Sequence, residues 1–161
     1  MSAPLPSPQF QPRHSVAQVE EGCELAPKFD EQGLIPCVTT DVESGEVLMH
    51  GYMNAESLSK TILWRQAVYW SRSRKKLWHK GATSGLVQNV AEIRVDDDQD
   101  CIWLKVRVTG GASCHVGYRS CFYRRVSLSP ADSGYALEFA EDSKVFDPQS
   151  VYGDAPNPTR L

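Results

Sequence analysis

The chain has 161 residues with an apolar share of 41%, which fits one domain or one protomer of an obligate oligomer. Its net charge of -3 excludes a protein that is drawn to nucleic acid or membranes by overall electrostatics. No apolar run approaches the roughly 18 residues that a membrane-spanning helix needs, so we expect no membrane partner.

The cysteine content indicates a reducing compartment. The chain has five cysteines, an odd number, and its start shows no charged and apolar signal segment. We therefore expect a cytoplasmic protein, in which clustered cysteines indicate metal binding or catalysis more often than a disulfide. The cysteines are Cys23, Cys37, Cys101, Cys114 and Cys121.

Proline usage divides the chain, because eight of the ten prolines lie in residues 1–12 or 130–158. We predict a flexible N-terminal extension over 1–27, without hydrophobic periodicity. A C-terminal extension over 127–161 is predicted to pack partly on the core, since its apolar residues alternate like a short strand. Between them, 28–126 is predicted as a compact α+β domain.

The first elements of this domain are a predicted hairpin and a helix. Residues 34–40 and 46–50 are rich in strand formers and are separated by a turn segment. Pro36 favours an edge strand, since proline cannot donate to a sheet ladder. Asn54 is a candidate N-cap for an amphipathic helix that runs to about Gln66.

A basic segment follows a predicted strand over 68–73. Five cationic residues occur within 72–80, and Trp78 lies among them. A solvated charged loop is one interpretation. The other is a phosphate-binding surface, because Arg, Lys, hydroxyl groups and glycine amides hold phosphate oxygens, and Thr83, Ser84 and Gly85 follow directly. The cationic residues are Arg72, Arg74, Lys75, Lys76 and Lys80.

The acidic run 96–100 separates two predicted strands. Apolar residues fall at odd positions before the run and at even positions after it, and this change of phase predicts a turn between two half-buried strands. The residues are Val87, Ala91, Ile93 and Val95, with Val90 out of phase, and then Ile102, Leu104, Val106 and Val108.

The acidic run itself is either a solvated turn or a metal site. If its backbone is extended, Asp96, Asp98 and Asp100 project to a common side. Three carboxylates with retained waters would satisfy the octahedral preference of Mg²⁺.

A second group of candidate ligands consists of Cys114, His115 and Cys121. Two thiols are soft ligands suited to Zn²⁺, although buried or free thiols would give the same pattern. Two thiolates do not complete a zinc site, so a third ligand must come from elsewhere. His115 could be a ligand, a core residue or a general base. These groups together indicate metal-assisted hydrolysis of a phosphorylated, nucleotide-like substrate.

Several motifs occur in one order over about residues 33–123 and resemble the phosphoribosyl-AMP cyclohydrolase family. They are Gly45–Asn54, Ser71–Gly81, Thr83–Gly85, the acidic run and Cys114–Phe122. The resemblance implies hydrolysis of the N1–C6 bond of the adenine ring of phosphoribosyl-AMP, a step of histidine biosynthesis, by a zinc-activated water. It also implies an obligate homodimer with an α+β fold, mainly antiparallel sheet and few helices, with zinc and magnesium sites near the subunit interface.

The resemblance also assigns roles to residues. Asp96, Asp98 and Asp100 correspond to magnesium ligands, Cys114 and Cys121 to zinc ligands, and His115 to a catalytic histidine. Arg72, Lys76, Lys80, Thr83, Ser84 and Gly85 are implied to hold the substrate phosphates, with Trp78 near the base.

The sequence departs from the family at one zinc ligand. The family has a third zinc cysteine between its first two aspartates, contributed by the other subunit, and Asp97 occupies that position here. Zn²⁺ accepts a carboxylate oxygen, so we favour Asp97 as the ligand. Cys101 would serve only if the turn folds back, and an altered metal site is the third alternative.

Two other functions compete with this interpretation. A non-catalytic protein could use a closed zinc site to hold a dimer together. The basic segment 72–80 could bind nucleic acid, but the net charge and the absence of a recognised binding motif disfavour this function.

Overall fold

The computed structural model describes residues 9–129 and 134–161. Within these ranges the chain forms three short helices and eight strands, and none of these helices is long and apolar enough to cross a membrane. In chain order the elements are α1 Val16–Glu21, β1 Ile35–Asp41, β2 Val47–Met53, α2 Ala55–Trp64, β3 Val68–Ser71, β4 Lys76–His79, β5 Gln88–Val95, β6 Ile102–Val108, β7 Arg124–Val126, β8 Leu137–Phe139 and α3 Pro148–Tyr152.

A four-stranded sheet with the order β2-β1-β6-β5 forms the centre of the molecule. Strands β1 and β6 run parallel, whereas the other described strand pairs are antiparallel. The prediction of an α+β fold with mainly antiparallel sheet and few helices is confirmed. The core packs between this sheet, α2 and β3, and it is built largely from Ile35, Leu48, Met53, Leu58, Tyr69, Ile102 and Leu104.

The predicted hairpin and helix are both present. Strands β1 and β2 pair antiparallel, and Asn54 caps α2 by accepting a hydrogen bond from the Ser57 N–H. The expectation that Pro36 marks an edge strand is wrong, because β1 lies between β2 and β6. Pairing of β1 with β6 begins only at Cys37, so the missing N–H of Pro36 interrupts no ladder with β6.

Strands β5 and β6 form the predicted pair around the acidic run. Val95 lies opposite Ile102, and β6 buries the expected even-numbered residues. A register shift between Val90 and Glu92 changes which side chains of β5 point to the core. Val90 and Ile93 therefore both pack on it. The predicted burial of Ala91 and Val95 is therefore wrong, since both are exposed.

The N-terminal part that the structure describes packs on the domain. Phe10 contacts the core, and Ala26 is fully buried. The amide of Gln99 ties this part to the acidic turn, since it donates to Val19 O at 3.0 Å and accepts from Ala26 N at 2.8 Å. Residues 1–8 of the predicted flexible extension lie outside the described residues, and the division of the chain at 27 and 126 stays a prediction.

The two groups of candidate metal ligands lie at opposite ends of β6. The acidic run precedes Ile102, and the loop with Cys114 and Cys121 follows Val108. Among the described residues, the two thiols and a carboxylate of the acidic run do not come within 4.8 Å of one another, so they form no common metal site within one chain.

Candidate active site

The loop 114–121 brings its two thiols together. Cys114 N donates to Tyr118 O at 3.2 Å and Gly117 N donates to Cys114 O at 3.0 Å, which closes the loop on itself. Cys121 N donates to Leu48 O at 2.7 Å and fixes the far end of the loop to β2. The two side chains lie within hydrogen-bonding distance of each other, Cys114 buried and Cys121 exposed.

The contact between the thiols makes one of them acidic. The hydrogen bond from Cys121, followed by one from the Val116 amide and by the charge of Lys80, lowers the pKa of Cys114 to about 6. The same hydrogen bond, followed by desolvation of the Cys121 sulfur, raises the pKa of Cys121 well above its usual range, although the residue as a whole is exposed. One thiolate is therefore present at neutral pH, and a metal ion that displaces the second proton would find two soft ligands side by side. The residues fit zinc in this respect.

Lys80 lies beneath the thiols. It is 3% exposed, and its Nζ donates to Ser113 O at 2.6 Å. Burial lowers the pKa of its ammonium, while the nearby thiols Cys121 and Cys114 act in the opposite direction. The predicted phosphate contact of Lys80 is untested. In this structure its ammonium binds the main chain at the start of the thiol loop.

A buried hydrogen-bond relay supports the same loop from the core. Gln88 Nε2 donates to Ser113 Oγ at 3.1 Å, and Tyr69 Oη donates to Gln88 Oε1 at 2.7 Å. Thr39 Oγ1 lies 2.6 Å from Tyr69 Oη and ends the relay. Sequence reasoning missed this relay. The available signal was a glutamine at the start of a strand that is otherwise half apolar.

Replacement of Gln88 by leucine is expected to destabilise the protein by about 1–3 kcal/mol, because it leaves the buried Ser113 hydroxyl without its partner and removes one of the two partners of the Tyr69 hydroxyl. The measurement is the free energy of unfolding in urea. Asn89→Leu on the same strand is the matched control, since Asn89 is exposed and we expect a change within about 0.5 kcal/mol there. Equal effects in both variants would contradict the structural role of the relay.

His115 follows Cys114 directly in the chain and is half-buried. Its Nε2 is buried and, among the described residues, has no hydrogen-bond partner. Burial, followed by the charge of Lys80, lowers the pKa of His115 below 6.5, and a hydrogen bond with Asn157 acts against this shift. The imidazole is therefore neutral at neutral pH, with a nitrogen that can accept a proton.

The acidic run forms a closed turn rather than an extended segment. Gln99 adopts a left-handed conformation with φ of 56°, and Gln99 N donates to Asp96 O at 3.2 Å. Asp96 Oδ1 also accepts from the amides of Asp100 and Cys101, at 2.9 and 3.0 Å. The expectation that alternate aspartates of an extended backbone share one side does not hold for this geometry.

The turn nevertheless gathers its carboxylates. Ligand oxygens of Asp96, Asp97 and Asp98 lie within 4.8 Å of one another. Asp100 contacts this group, since a hydrogen bond with Asp96 raises the pKa of its carboxyl group. In the part of the chain that the structure covers, no third His, Cys, Asp or Glu ligand completes such a group with Cys114 and Cys121. Asp97 thus lies with the predicted magnesium ligands of its own chain.

Cys101, the alternative zinc ligand, lies at the base of the turn. It is half-buried, and its Sγ is 3.8 Å from Ile102 O. Burial, followed by the charges of Asp96 and Asp100, raises its pKa. A thiol that resists deprotonation is a poorer zinc ligand than a neighbouring carboxylate, which keeps Asp97 as the preferred candidate.

The basic segment is a hairpin with part of its charge held against aromatic rings. The guanidinium of Arg72 lies 4.0 Å from the Tyr52 ring centre, and that of Arg74 lies 5.7 Å from the Trp78 ring centre. Trp78 packs on the core beside Tyr69, and Lys76 is exposed. These groups are available to a ligand above the hairpin.

The turn 83–85 begins two residues after Gly81. Gly85 N donates to Gly81 O at 2.8 Å, and Ser84 Oγ accepts from Leu86 N at 3.2 Å. Thr83 is exposed. The positive φ of 90° at Gly81, where a Cβ would meet Val87 N at 2.4 Å, requires glycine for this close turn.

Comparison with known proteins gives consistent matches. The family model described as phosphoribosyl-AMP cyclohydrolase matches residues 49–123. A protein named phosphoribosyl-AMP cyclohydrolase from Rhodopseudomonas palustris strain BisA53 is 58% identical over 135 residues, which are 83% of this chain and 90% of the relative. One of the same name from strain BisB18 is 52% identical over 152 residues, 94% of this chain and 99% of the relative. Another from Bradyrhizobium sp. strain BTAi1 is 53% identical over 126 residues, 78% of this chain and 95% of the relative.

Proposed function

The chain belongs to the phosphoribosyl-AMP cyclohydrolase family, and we propose that its ring-opening chemistry takes place at the loop with Cys114, His115 and Cys121. The enzyme hydrolyses the adenine ring of phosphoribosyl-AMP, a step of histidine biosynthesis, and its substrate is a phosphorylated nucleotide. The observation that carries the location is a pair of thiols and, next to one of them in the chain, a buried His115 Nε2 without a hydrogen-bond partner among the described residues, all inside the segment that matches the family.

Zinc is the proposed metal of the thiol pair. When bound there, it would supply an activated water for attack on C6 of the purine ring. His115 takes a proton from the attacking water, because its imidazole is neutral and its Nε2 has no hydrogen-bond partner in the part of the chain that the structure describes. The water oxygen bonds to C6, and the N1–C6 bond breaks with its electron pair going to N1, which receives the proton held by His115. The second water proton moves to the exocyclic nitrogen on C6, so that C6 ends as a carboxamide.

We propose that the zinc site is completed across a homodimer. Within the described part of one chain, the thiols and the carboxylates of the acidic turn form no common ligand group, which supports a third ligand from the turn of a second copy. Asp97 is the proposed third ligand and Cys101 its alternative. Asp96, Asp98 and Asp100 are proposed to hold magnesium, supported by the grouping of carboxylates in a closed turn.

The basic hairpin is proposed to hold the phosphates. Arg72, Lys76 and the turn 83–85 offer charge, hydroxyl groups and amides, and Trp78 offers a ring face for the base. Lys80 is also proposed to contact the phosphates, and its bond to Ser113 O connects this surface with the thiol loop. The cytoplasm is the proposed compartment, supported by the free thiols of all five cysteines.

Chelation and metal return test the zinc proposal. Ring opening of phosphoribosyl-AMP is followed by ultraviolet absorbance before chelation, after chelation, and after return of magnesium alone or magnesium with zinc. We expect chelation to lower the rate by about a thousandfold or more, since several kcal/mol of transition-state stabilisation are lost. Zinc with magnesium should restore the rate and magnesium alone should not. Full activity of verifiably zinc-free protein would contradict the proposal.

A further inference from the structure

A segment of the C-terminal extension runs along the thiol loop. We call residues 139–146 the strap. Ala140 N donates to Tyr123 O at 2.8 Å, beyond the last cysteine. Val145 N donates to Gly117 O at 2.7 Å, in the middle of the loop. The strap is thus attached on both sides of Cys121, and it lies beyond residue 123, where the match to the family model ends.

Glu141 makes the central attachment. Its Oε1 accepts from Arg119 N and its Oε2 accepts from Ser120 N, each at 3.0 Å. One carboxylate therefore satisfies two successive amides of the loop, directly before Cys121. Hydrogen bonds to an ionised acceptor are stronger than neutral ones, so this is the strongest of the contacts that fasten the loop from outside.

The inner side of the loop is fastened to the sheet. Ser120 is 1% exposed, and its Oγ donates to Val47 O at 2.7 Å. Cys121 N donates to Leu48 O, also on β2. The segment 119–121 is thereby held between β2 on one side and Glu141 on the other.

Close packing leaves little room for other arrangements of strap and loop. A Cβ at Gly117 would meet Phe146 O at 2.4 Å, and Gly117 has a φ of 104°. The rings of Tyr118 and Tyr123 stack with centres 4.1 Å apart, and the Phe139 ring lies 6.0 Å from that of Tyr118. The loop conformation that brings the thiols together is therefore the one that the strap fits.

We propose that Glu141 is a positioning residue that holds the loop 114–121 in the shape that presents Cys114 and Cys121 to one metal ion. The inference rests on the proposed zinc function for its catalytic consequence, but the contacts themselves do not depend on metal. Without Glu141, the amides of Arg119 and Ser120 would hydrogen-bond to water and the loop would become more mobile. Metal binding would then have to order the loop, which costs conformational entropy. Partners that orient a metal ligand typically contribute 10–100-fold to metal affinity.

The test uses the full chain with Glu141→Ala and, as a matched control, Glu138→Ala. Glu138 lies three residues earlier and pairs with Arg125 on the exposed β7–β8 ribbon. The first readout is amide hydrogen exchange at Arg119 and Ser120 in metal-free protein. The second is zinc affinity by competition with a chromophoric chelator, with the thiolate charge-transfer bands of the cobalt-substituted protein as a spectroscopic signature.

We expect Glu141→Ala to accelerate exchange at both amides about tenfold or more and to weaken zinc binding about 10–100-fold, while Glu138→Ala changes neither. Saturating zinc should restore turnover of Glu141→Ala with KM unchanged. Glu141→Gln keeps one acceptor oxygen, so its exchange rate and zinc affinity should lie between those of the parent and those of Glu141→Ala. If Glu141→Ala does not fold, Glu141→Gln replaces it in every readout.

Unchanged amide exchange in Glu141→Ala overturns the inference whatever the metal content. Faster exchange with unchanged zinc affinity also overturns it, because the strap would then hold the loop without positioning the ligands. Failure of the parent protein to bind zinc would contradict the proposed function instead, and the exchange readout would still decide whether Glu141 fixes the loop.

Discussion

Replacement of His115 by alanine is expected to lower the turnover number for phosphoribosyl-AMP by about 10²–10⁴-fold, the usual contribution of a general acid–base group. Among the described residues, His115 Nε2 is the buried side-chain atom that lacks a hydrogen-bond partner. No other described group can therefore take its place as the proton acceptor. Zinc content and the free energy of unfolding should stay close to those of the parent. His14→Ala is the control, since His14 is exposed and lies in the N-terminal segment.

The pH dependence of turnover gives a second readout for His115. Burial and the charge of Lys80 lower its pKa below 6.5, so the imidazole is neutral above that lowered pKa and protonated below it. A proton acceptor works only when neutral. Turnover of the parent should therefore fall as the pH drops through this value, and His115→Ala should lose that acid limb. Full turnover in His115→Ala, or an unchanged acid limb, would contradict the assignment.

Mixing two inactive variants is expected to restore activity if the zinc site is shared between subunits. Cys114→Ala removes a ligand of the loop, and Asp97→Ala removes the proposed ligand of the acidic turn. In a mixed dimer one site carries both changes and the other carries neither. Random exchange of subunits should therefore restore about a quarter of the parent activity from near zero, because half the dimers are mixed and each has one intact site.

The matched control mixes Cys114→Ala with Cys121→Ala. Both changes lie on the loop, so every site in a mixed dimer keeps one defective loop and activity should stay near zero. Absence of recovery in the first mixture, with mixed dimers demonstrated by tagged subunits, would contradict a shared site. An Asp97→Ala protein that retains zinc, together with a Cys101→Ala protein that loses it, would transfer the third-ligand role to Cys101.

Local signals in the sequence were sufficient for the hairpin and for α2. The β1–β2 turn and the Asn54 cap are determined by residues close together in the chain, and both are present as predicted. Pro36 was misassigned because its effect depends on where pairing with β6 begins, which is a long-range property. The prediction of which β5 residues are buried was wrong for a related reason. A bulge between Val90 and Glu92 changes the alternation, and its only sign in the sequence is the out-of-phase Val90.

The candidate site was predictable as a set of residues but not as an arrangement. Motif resemblance selected Cys114, His115 and Cys121, and the structure brings the two thiols together, with Lys80 close enough for its charge to act on them and on His115. The motif resemblance could not indicate that Lys80 is buried under the loop, because a lysine within a basic segment has no sequence signal for burial. The role of Glu141 was equally hidden, since its partners are backbone amides and any residue could supply those.

The way in which the strap meets the loop has a consequence for how its sequence can vary. At Ala140 and Val145 the attachments use main-chain atoms alone, so side chains there can be exchanged without loss of a hydrogen bond. The spacing of the attachments is fixed, however, because Glu141 has to face two consecutive amides while Val145 reaches Gly117. Substitutions of Ala140 or Val145 should therefore be tolerated far better than the insertion or deletion of a single residue between Glu141 and Val145, which would shift one attachment out of register with the other.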